Sequence, residues 1–193
     1  MAFVQRTGEN TILRSEKLPA IAIQVDPALR YAGGTTFILH DIARVEQHHF
    51  LVADAERRVL RQLWFQFEGY LENNDYTYKV SLEPLELNGF HFQHNTYPIN
   101  IEQTCEAHPA SDYAHVVDFL TDKGYLLTGD MMAHRLFWLD TDLRNELMIM
   151  YWELLDPTGY HLSDVAEGGP AATEWQGLSQ SLQERSLSSF KIL

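Results

Sequence analysis

Alternation between apolar and polar residues is the clearest pattern along the chain, and alternation of this kind predicts β-strands. In the stretch 59–71, one face of an extended backbone is apolar and carries Leu63, Phe65 and Phe67. The opposite face is mixed and carries Trp64, Gln66, Glu68 and Tyr70. The preceding stretch 44–54 is also rich in β-branched and aromatic residues, so the two stretches predict one long hairpin over 44–71.

A second long hairpin is predicted over 134–155, with its turn near 140–145. Its second arm, 147–155, is apolar on both faces except for Glu153, which is typical of a central strand that is covered on both sides. Shorter strands are predicted where apolar residues lie between turn signals, over 21–25, 35–40, 76–82 and 90–94.

Two helices are predicted in the second half of the chain. Near 111–123, Ser111 or Asp112 can cap a helix whose apolar residues recur at helical spacing, and Gly124 would end it. Near 174–187, a second helix follows the run 173–176, which fits a capping box. This C-terminal helix is predicted to pack against the rest of the protein, because it has an apolar stripe formed by Trp175, Leu178 and Leu182.

These elements predict an α+β fold in a single domain over 1–193, dominated by a strongly curved antiparallel sheet of about seven to nine strands. The many long strands, with few residues that protect sheet edges, favour closure as a barrel, and an open sheet is the alternative. Residues 1–18 show no clear periodicity, so they are predicted to form a loosely held arm.

One short pattern occurs twice in the sequence. The runs 54–58 and 140–144 both read acid, small residue, acid, any residue, Arg, and each lies between two predicted long strands. A duplicated hairpin unit would explain the similarity. The preference of exposed hairpin tips for charged residues is the favoured explanation.

Composition narrows the classes of function. Hydrophobic residues make up 45% of the chain, which is enough to bury a core. The balance of 14 basic against 27 acidic residues, a net charge of −13, disfavours nucleic acid and anionic membranes as partners. The apolar runs are too short to cross a bilayer, the N-terminus does not resemble a secretory signal, and the chain has one cysteine. A reducing, cytoplasmic location is therefore predicted.

Metal and cofactor signals are weak. The chain lacks a phosphate-binding glycine loop, a HExxH helix, paired CxxC motifs and a GxSxG elbow. His48 and His49 are adjacent in a predicted strand and point to opposite faces, and His91 and His94 do the same. A metal site would need ligands from separate strands, for example Glu68 together with these histidines. No metal and no cofactor is therefore predicted.

One local arrangement could supply a nucleophile. Cys105 and His108 precede the first predicted helix, and a thiol near a helix N-terminus can have a lowered pKa. A buried, inert cysteine is the favoured interpretation.

The mixed face of the first hairpin is the main candidate site. An exposed face would rarely carry Trp64 and Tyr70, and a buried face would not carry Gln66 and Glu68 without partners. This combination is typical of the wall of a ligand cavity. The second hairpin has a comparable face, and Arg135 offers a cation. The predicted ligand-binding residues are Trp64, Gln66, Glu68, Tyr70, Arg135, Met150 and Trp152.

Three functions are compatible with this face. The leading hypothesis is binding of a small apolar or aromatic ligand, with Glu68 orienting its polar end. The first alternative is a small-molecule enzyme in which a buried Glu68 or Glu153 acts with a histidine as an acid–base pair. The second is a structural or regulatory homodimer with no small ligand, in which the same face is the interface. The face could also lie beneath the C-terminal helix, held by Trp175.

Overall fold

The computed structural model describes residues 7–9 and 11–193, and it places them in two antiparallel sheets with four α-helices. The strands are β1 (Thr7–Glu9), β2 (Ile12–Glu16), β3 (Ala20–Val25), β4 (Arg30–Leu39), β5 (Ala43–Ala53), β6 (Val59–Tyr70), β7 (Glu83–Leu87), β8 (Phe90–Asn100), β9 (Asp130–Leu139), β10 (Asn145–Leu154) and β11 (Phe190–Ile192). The helices are α1 (Ile101–Ala107), α2 (Asp112–Asp122), α3 (Leu162–Val165) and α4 (Trp175–Ser188).

The larger sheet contains both predicted hairpins. Its seven strands lie in the order β4-β5-β6-β10-β9-β8-β7, so the hairpins β5–β6 and β9–β10 are joined where β6 pairs with β10. The α+β class and the hairpins over 44–71 and 134–155 are therefore confirmed. Closure as a barrel is not found, because β4 and β7 lie at opposite ends of the strand order. The strong curvature stays a prediction.

Both faces of the larger sheet are covered, and β10 is buried along nearly its whole length. One face packs against the smaller sheet and α4, in a core that includes Phe65, Ile149 and Leu182. The other face, which we call the helix-facing face, packs against α1 and α2. Alternate residues of each strand therefore enter two separate cores, and this explains why 147–155 is apolar on both sides.

The smaller sheet has the order β1-β2-β3-β11. Leu13 of β2 has no exposed surface, so residues 12–16 are part of the core and the predicted loosely held arm is wrong for them. The strand is only five residues long and places Arg14 and Glu16 outward, so its alternation was too short to recognise. Residues 1–6 and 10 of that predicted arm lie outside the described residues.

The predicted strand over 76–82 is wrong. Residues 72–82 form no strand, although residues 76–82 alternate in sequence, and an arginine side chain takes the place of a neighbouring strand at the start of this segment. The guanidinium group of Arg144 donates to the carbonyl oxygens of Leu71, Asn74 and Tyr76 at 2.9 Å each. We call residues 71–82 the Tyr78 segment.

Both predicted helices are present. Ser111 caps α2 by accepting a hydrogen bond from the backbone N–H of Ala114, and Gly124 follows α2 with a positive φ of 76°. Leu182 of α4 is fully buried, which confirms that the C-terminal helix packs on the sheet. The predicted capping box is wrong, because residues 172–174 form a 3₁₀ turn and no side chain caps α4. Among the described residues, no helix combines the length and apolar character needed to cross a membrane.

The repeated pattern at the two hairpin tips has a structural reason. In each tip the first acid accepts a hydrogen bond from a backbone N–H four residues later, Arg58 to Asp54 at 2.7 Å and Arg144 to Asp140 at 2.9 Å. Arg57 of the first tip also donates to the carbonyl oxygens of Lys123 and Gly124, at the end of α2. The repeated pattern therefore reflects the hydrogen bonding of the two turns. An arginine from each tip also contacts an element that lies over the helix-facing face, α2 or the Tyr78 segment.

Replacing Leu182 by Ala is expected to lower the free energy of unfolding by about 2–5 kcal/mol, because it leaves a cavity where α4 meets the sheet. Urea unfolding measured by circular dichroism would give the change. Leu126→Ala is the matched control, since that side chain is 52% exposed and should change stability little. Equal effects of the two substitutions would contradict the packing of α4 described above.

Candidate functional site

The predicted ligand-binding residues all lie on the helix-facing face. In the pairing of β6 with β10, Trp64 lies opposite Met150, Gln66 opposite Met148, and Gln62 opposite Trp152. Arg135 of β9 lies opposite Met150 from the other side. Residues directly opposite each other on antiparallel strands point to the same face, so the structure brings these predicted residues together.

Three carboxyl groups meet at one end of this face, and we call them the acidic cluster: Glu68, Glu146 and Asp112. Glu68 lies directly opposite Glu146 in the β6–β10 pairing, and Glu146 is only 5% exposed. Asp112 comes from the first turn of α2. The Gln66 amide links two of the groups, since its Nε2 donates to Glu68 Oε2 at 2.8 Å and to Asp112 Oδ2 at 3.5 Å. Two sheet strands and one helix therefore build the cluster.

Burial makes ionisation of the cluster unfavourable. It raises the pKa of Glu68 from 4.5 to about 7, and the negative charge of Asp112 adds to this rise. The hydrogen bond that the Tyr78 hydroxyl donates to Glu68 Oε1 at 2.8 Å lowers the pKa and partly opposes the rise. Burial and the charges of Glu68 and Asp112 also raise the pKa of Glu146 well above its ordinary value.

Arg135 moderates the negative charge of the cluster without pairing with it. Its guanidinium carbon lies 4.7 Å from the ring centre of Phe137 and 5.2 Å from that of Tyr97, and its Nε donates to Asn95 Oδ1 at 3.2 Å. Burial raises the pKa of Asp112, and the positive charge of Arg135 partly opposes this rise and the rise at Glu146. Among the described residues, no hydrogen bond joins Arg135 to a carboxylate. The cluster therefore contains three carboxyl groups, and no basic side chain in the described part of the chain is hydrogen-bonded to them.

The middle of the helix-facing face is an aromatic group formed by Trp64, Trp152 and Tyr113. The rings meet edge to face, with centroids 5.7 Å apart for the two tryptophans and 5.4 Å apart for Tyr113 and Trp152. Both tryptophans are fully buried. Neither indole Nε1 has a hydrogen-bond partner among the described residues, although a buried indole N–H normally has one.

Two amide side chains and a histidine continue this pattern on the β5 and β6 strands. Gln47 Nε2 donates to Gln66 Oε1 at 2.7 Å, and the Gln62 amide contacts His49 Nδ1 at 3.0 Å. Burial lowers the pKa of His49 to about 3, so its ring is neutral. The Oε1 atoms of Gln47 and Gln62 and the Nε2 atom of His49 have no partner among the described residues.

Five fully buried polar atoms without a partner therefore lie on one face of one sheet. They are Gln47 Oε1, His49 Nε2, Gln62 Oε1, Trp64 Nε1 and Trp152 Nε1. Buried polar groups in folded proteins are nearly always hydrogen-bonded to protein or to bound water, so each such atom needs an explanation. In the core on the opposite face, two more buried polar atoms have no partner among the described residues, His134 Nδ1 and Ser186 Oγ.

Tyr70 lies at the rim of the site. It is half-buried and stacks on Tyr78 with ring centroids 4.6 Å apart. The Tyr78 segment therefore covers the acidic end of the face, and α2 covers the aromatic group. The interpretation in which the C-terminal helix covers this face is wrong, because Trp175 of α4 packs into the opposite core. Trp64 has no exposed surface, so it presents nothing to a second chain.

The structure does not support the less favoured interpretation of Cys105 as a nucleophile. Cys105 lies within α1 and not in a loop before the first helix, and His108 is the residue that ends α1. Burial and the charges of Asp118 and Glu102 raise the pKa of the Cys105 thiol, where an activated thiol needs a lowered one. Sequence reasoning missed α1 because it directly follows β8, with Asn100 as its cap.

The histidines do not converge on the candidate site, and His94 Nδ1 and His134 Nε2 lie 3.0 Å apart on the opposite face. His48 points away from the helix-facing face and contacts Glu46 and Tyr31, and His91 is exposed. Within residues 7–9 and 11–193, no three side chains of His, Cys, Asp or Glu are arranged to hold a metal ion. Two clefts of about 650 and 440 Å³ lie outside the candidate site, one beside Phe190 and Leu193 and one beside Met132 and Arg185.

Several residues of the site were missed at the sequence level: Gln47, His49, Gln62, Tyr78, Asp112, Tyr113 and Glu146. The signal for Gln47, His49 and Glu146 was the same period of two that identified Trp64 and Glu68, in the partner strands. Asp112 was noticed only as a helix cap and Tyr78 only as a strand residue. Their approach to Glu68 depends on tertiary structure.

The free energy of unfolding is expected to fall as pH rises from about 4.5 to about 7. The folded chain keeps the Glu68 proton up to about pH 7, whereas the unfolded chain releases it near pH 4.5, so protonation favours the folded state across this window. Glu68→Gln should flatten that slope, as measured by urea unfolding at a series of pH values. Glu56→Gln, at an exposed hairpin tip, is the control. An unchanged slope in Glu68→Gln would contradict the raised pKa.

Comparison with protein-family models, with curated proteins and with solved structures found no match for this chain. Its function has to be inferred from its own residues.

Proposed function

We propose that the protein binds a small organic molecule with an apolar or aromatic body and polar ends, between α2 and the helix-facing face of the larger sheet. The observation that carries the proposal is the set of five buried polar atoms without partners around Trp64 and Trp152. Leaving a buried donor or acceptor unpaired costs about 1–3 kcal/mol per group. A bound molecule that pairs with these atoms recovers that free energy.

The chemistry of the site changes along β6. Near Gln62 and Trp64, the unpaired indole N–H groups and the His49 ring favour oxygen acceptors on the ligand, and the unpaired Gln62 Oε1 favours one donor among them. Near Glu68, the acidic cluster favours hydrogen-bond donors. Trp64 and Glu68 are four residues apart on a strand, which corresponds to about 13 Å. A ligand of that length with different polar groups at its two ends suits the face.

Access requires a movement of the structure. Trp64 and Trp152 are fully buried beneath α2, so a ligand can enter only when α2 or the Tyr78 segment is displaced. Each of these elements is held by a hairpin-tip arginine through carbonyl oxygens, α2 by Arg57 and the Tyr78 segment by Arg144. Such contacts are exposed or half-exposed, and they can open without disturbing the opposite core.

Acid–base catalysis is the second candidate function. A Glu68 pKa of about 7 allows this residue to take up or release a proton at neutral pH, which is the property of a general acid or base. His49 does not suit a partner role, since its pKa is about 3. Glu153, the other candidate base, accepts hydrogen bonds from Arg185 and Tyr151 on the opposite face. A cytoplasmic location is part of both proposals.

Native mass spectrometry of the full chain, as purified from cells, is expected to show a mass above that of the denatured chain. Trp64→Phe should lower the fraction that carries the extra mass, because this change keeps an aromatic ring and removes the unpaired N–H group.

Trp138→Phe is the matched control, since Trp138 packs in the opposite core and should leave the bound fraction unchanged. Identical native and denatured masses in the wild-type chain would contradict the binding proposal.

A further inference from the structure

We infer that the ligand of this site carries a positively charged ammonium group, which is held by the carboxyl groups of the acidic cluster. This inference rests on the proposed function and names the chemical class of the ligand.

Glu68 and Glu146 lie directly opposite each other in the β6–β10 pairing, where like charges repel. Glu146 is buried and Glu68 is half-buried. Asp112 adds a third acid from α2, and Gln66 joins it to Glu68. Without a ligand this pair costs free energy. Either both carboxylates stay ionised and repel each other, or one of them stays protonated at a pH where water would take up its proton. A cation between them removes that conflict.

An unpaired acceptor is linked to the cluster through the Gln66 amide. Gln47 is fully buried, its Nε2 donates to Gln66, and Gln66 in turn donates to Glu68. The remaining atom of that amide, Gln47 Oε1, receives no hydrogen bond from any described residue. An ammonium group has three donors and no acceptor, so it suits an amide oxygen and carboxylates together.

The groups that face the cluster do not supply this cation. Arg135 lies over Tyr97 and Phe137 with its Nε on Asn95. Arg144 lies over Tyr70, and its guanidinium group donates to the backbone carbonyl oxygens of the Tyr78 segment. The other titratable groups around Glu68 are Tyr70, Tyr78, Asp112 and Glu146, and none of them carries a positive charge.

An organic cation fits better than a metal ion. Within the described part of the chain, the acidic residues are not placed to coordinate a metal together. The aromatic group begins at Tyr113, the residue after Asp112, so an ammonium group at the cluster is followed by ring surfaces for an apolar body. An aromatic amine matches both parts of the face.

The test uses three probes of similar size that differ in charge: 2-phenylethylammonium, 2-phenylethanol and 3-phenylpropionate. Isothermal titration calorimetry with the full chain is expected to show the amine binding at least about tenfold more tightly than the alcohol, with no detectable binding of the carboxylate. Amine binding should release protons, because a cation favours ionised carboxylates. Titrations in buffers of different ionisation enthalpy measure that release.

Two variants test whether the acidic cluster causes the preference for the amine over the alcohol. Glu146→Gln keeps the shape of the side chain and should reduce the preference for amine over alcohol by about tenfold, together with the proton release. Glu56→Gln, at the exposed tip of the first hairpin, should change neither. Circular dichroism and urea unfolding establish that both variants fold.

The outcomes separate the two proposals. If the alcohol binds as tightly as the amine, or the carboxylate binds most tightly, the ammonium inference is wrong and the binding proposal stands. A retained ligand that contains no basic nitrogen also overturns the ammonium inference alone. If no probe binds and the native and denatured masses agree, both proposals are wrong.

Discussion

The pairing of β6 with β10 is the constraint on which the rest of this structure depends. It joins the two long hairpins into one sheet, and it places Glu68 opposite Glu146 and Trp64 opposite Met150. A shift of β10 by one residue against β6 would send Glu146 and Trp152 into the opposite core and bring Ile149 under α2. The apolar core and the polar site are thus specified by the same set of strand hydrogen bonds.

The two faces of the larger sheet have different roles. The face against α4 and the smaller sheet is mainly apolar, with Leu63, Leu136 and Leu147 fully buried, and burial of this kind is the main source of folding free energy. The helix-facing face contains the acidic cluster, the buried glutamines and the two fully buried indoles. The cost of burying those polar groups is offset by the opposite core, which lets the site keep unpaired atoms that a ligand can use.

The sequence predicted the two long hairpins of the larger sheet because their periodicity is long, but it missed β7 and found only the second half of β4 and the first half of β8. In β6 the apolar Leu63, Phe65 and Phe67 alternate with residues 64, 66 and 68, and the mixed face that this revealed is the face on which the structure collects the candidate site. Two other segments were predicted wrongly, one because its pattern is short and one because its alternation does not correspond to a strand. The five residues of β2 were too few to show a period, and residues 76–82 alternate although Arg144 holds their backbone outside any strand.

Other parts of the site depend on tertiary contacts that no local pattern carries. The approach of Asp112 and Tyr78 to Glu68 joins residues 44 and 10 positions away in sequence, from a helix and from an irregular segment. Whether the face was exposed or covered, and by which helix, also depended on the packing of α2 and α4 on opposite sides. Sequence periodicity defines faces, but it does not say which element covers each of them.

The central claim is that the unpaired polar atoms on the helix-facing face bind something other than protein. A crystal structure of the chain as purified, at a resolution that shows individual water molecules, tests this most directly. The account predicts non-protein density within hydrogen-bond distance of Gln47 Oε1 and of the indole nitrogens of Trp64 and Trp152, continuous over more than one water molecule. A helix-facing face in which these atoms bond to other side chains, or to isolated waters alone, would contradict it.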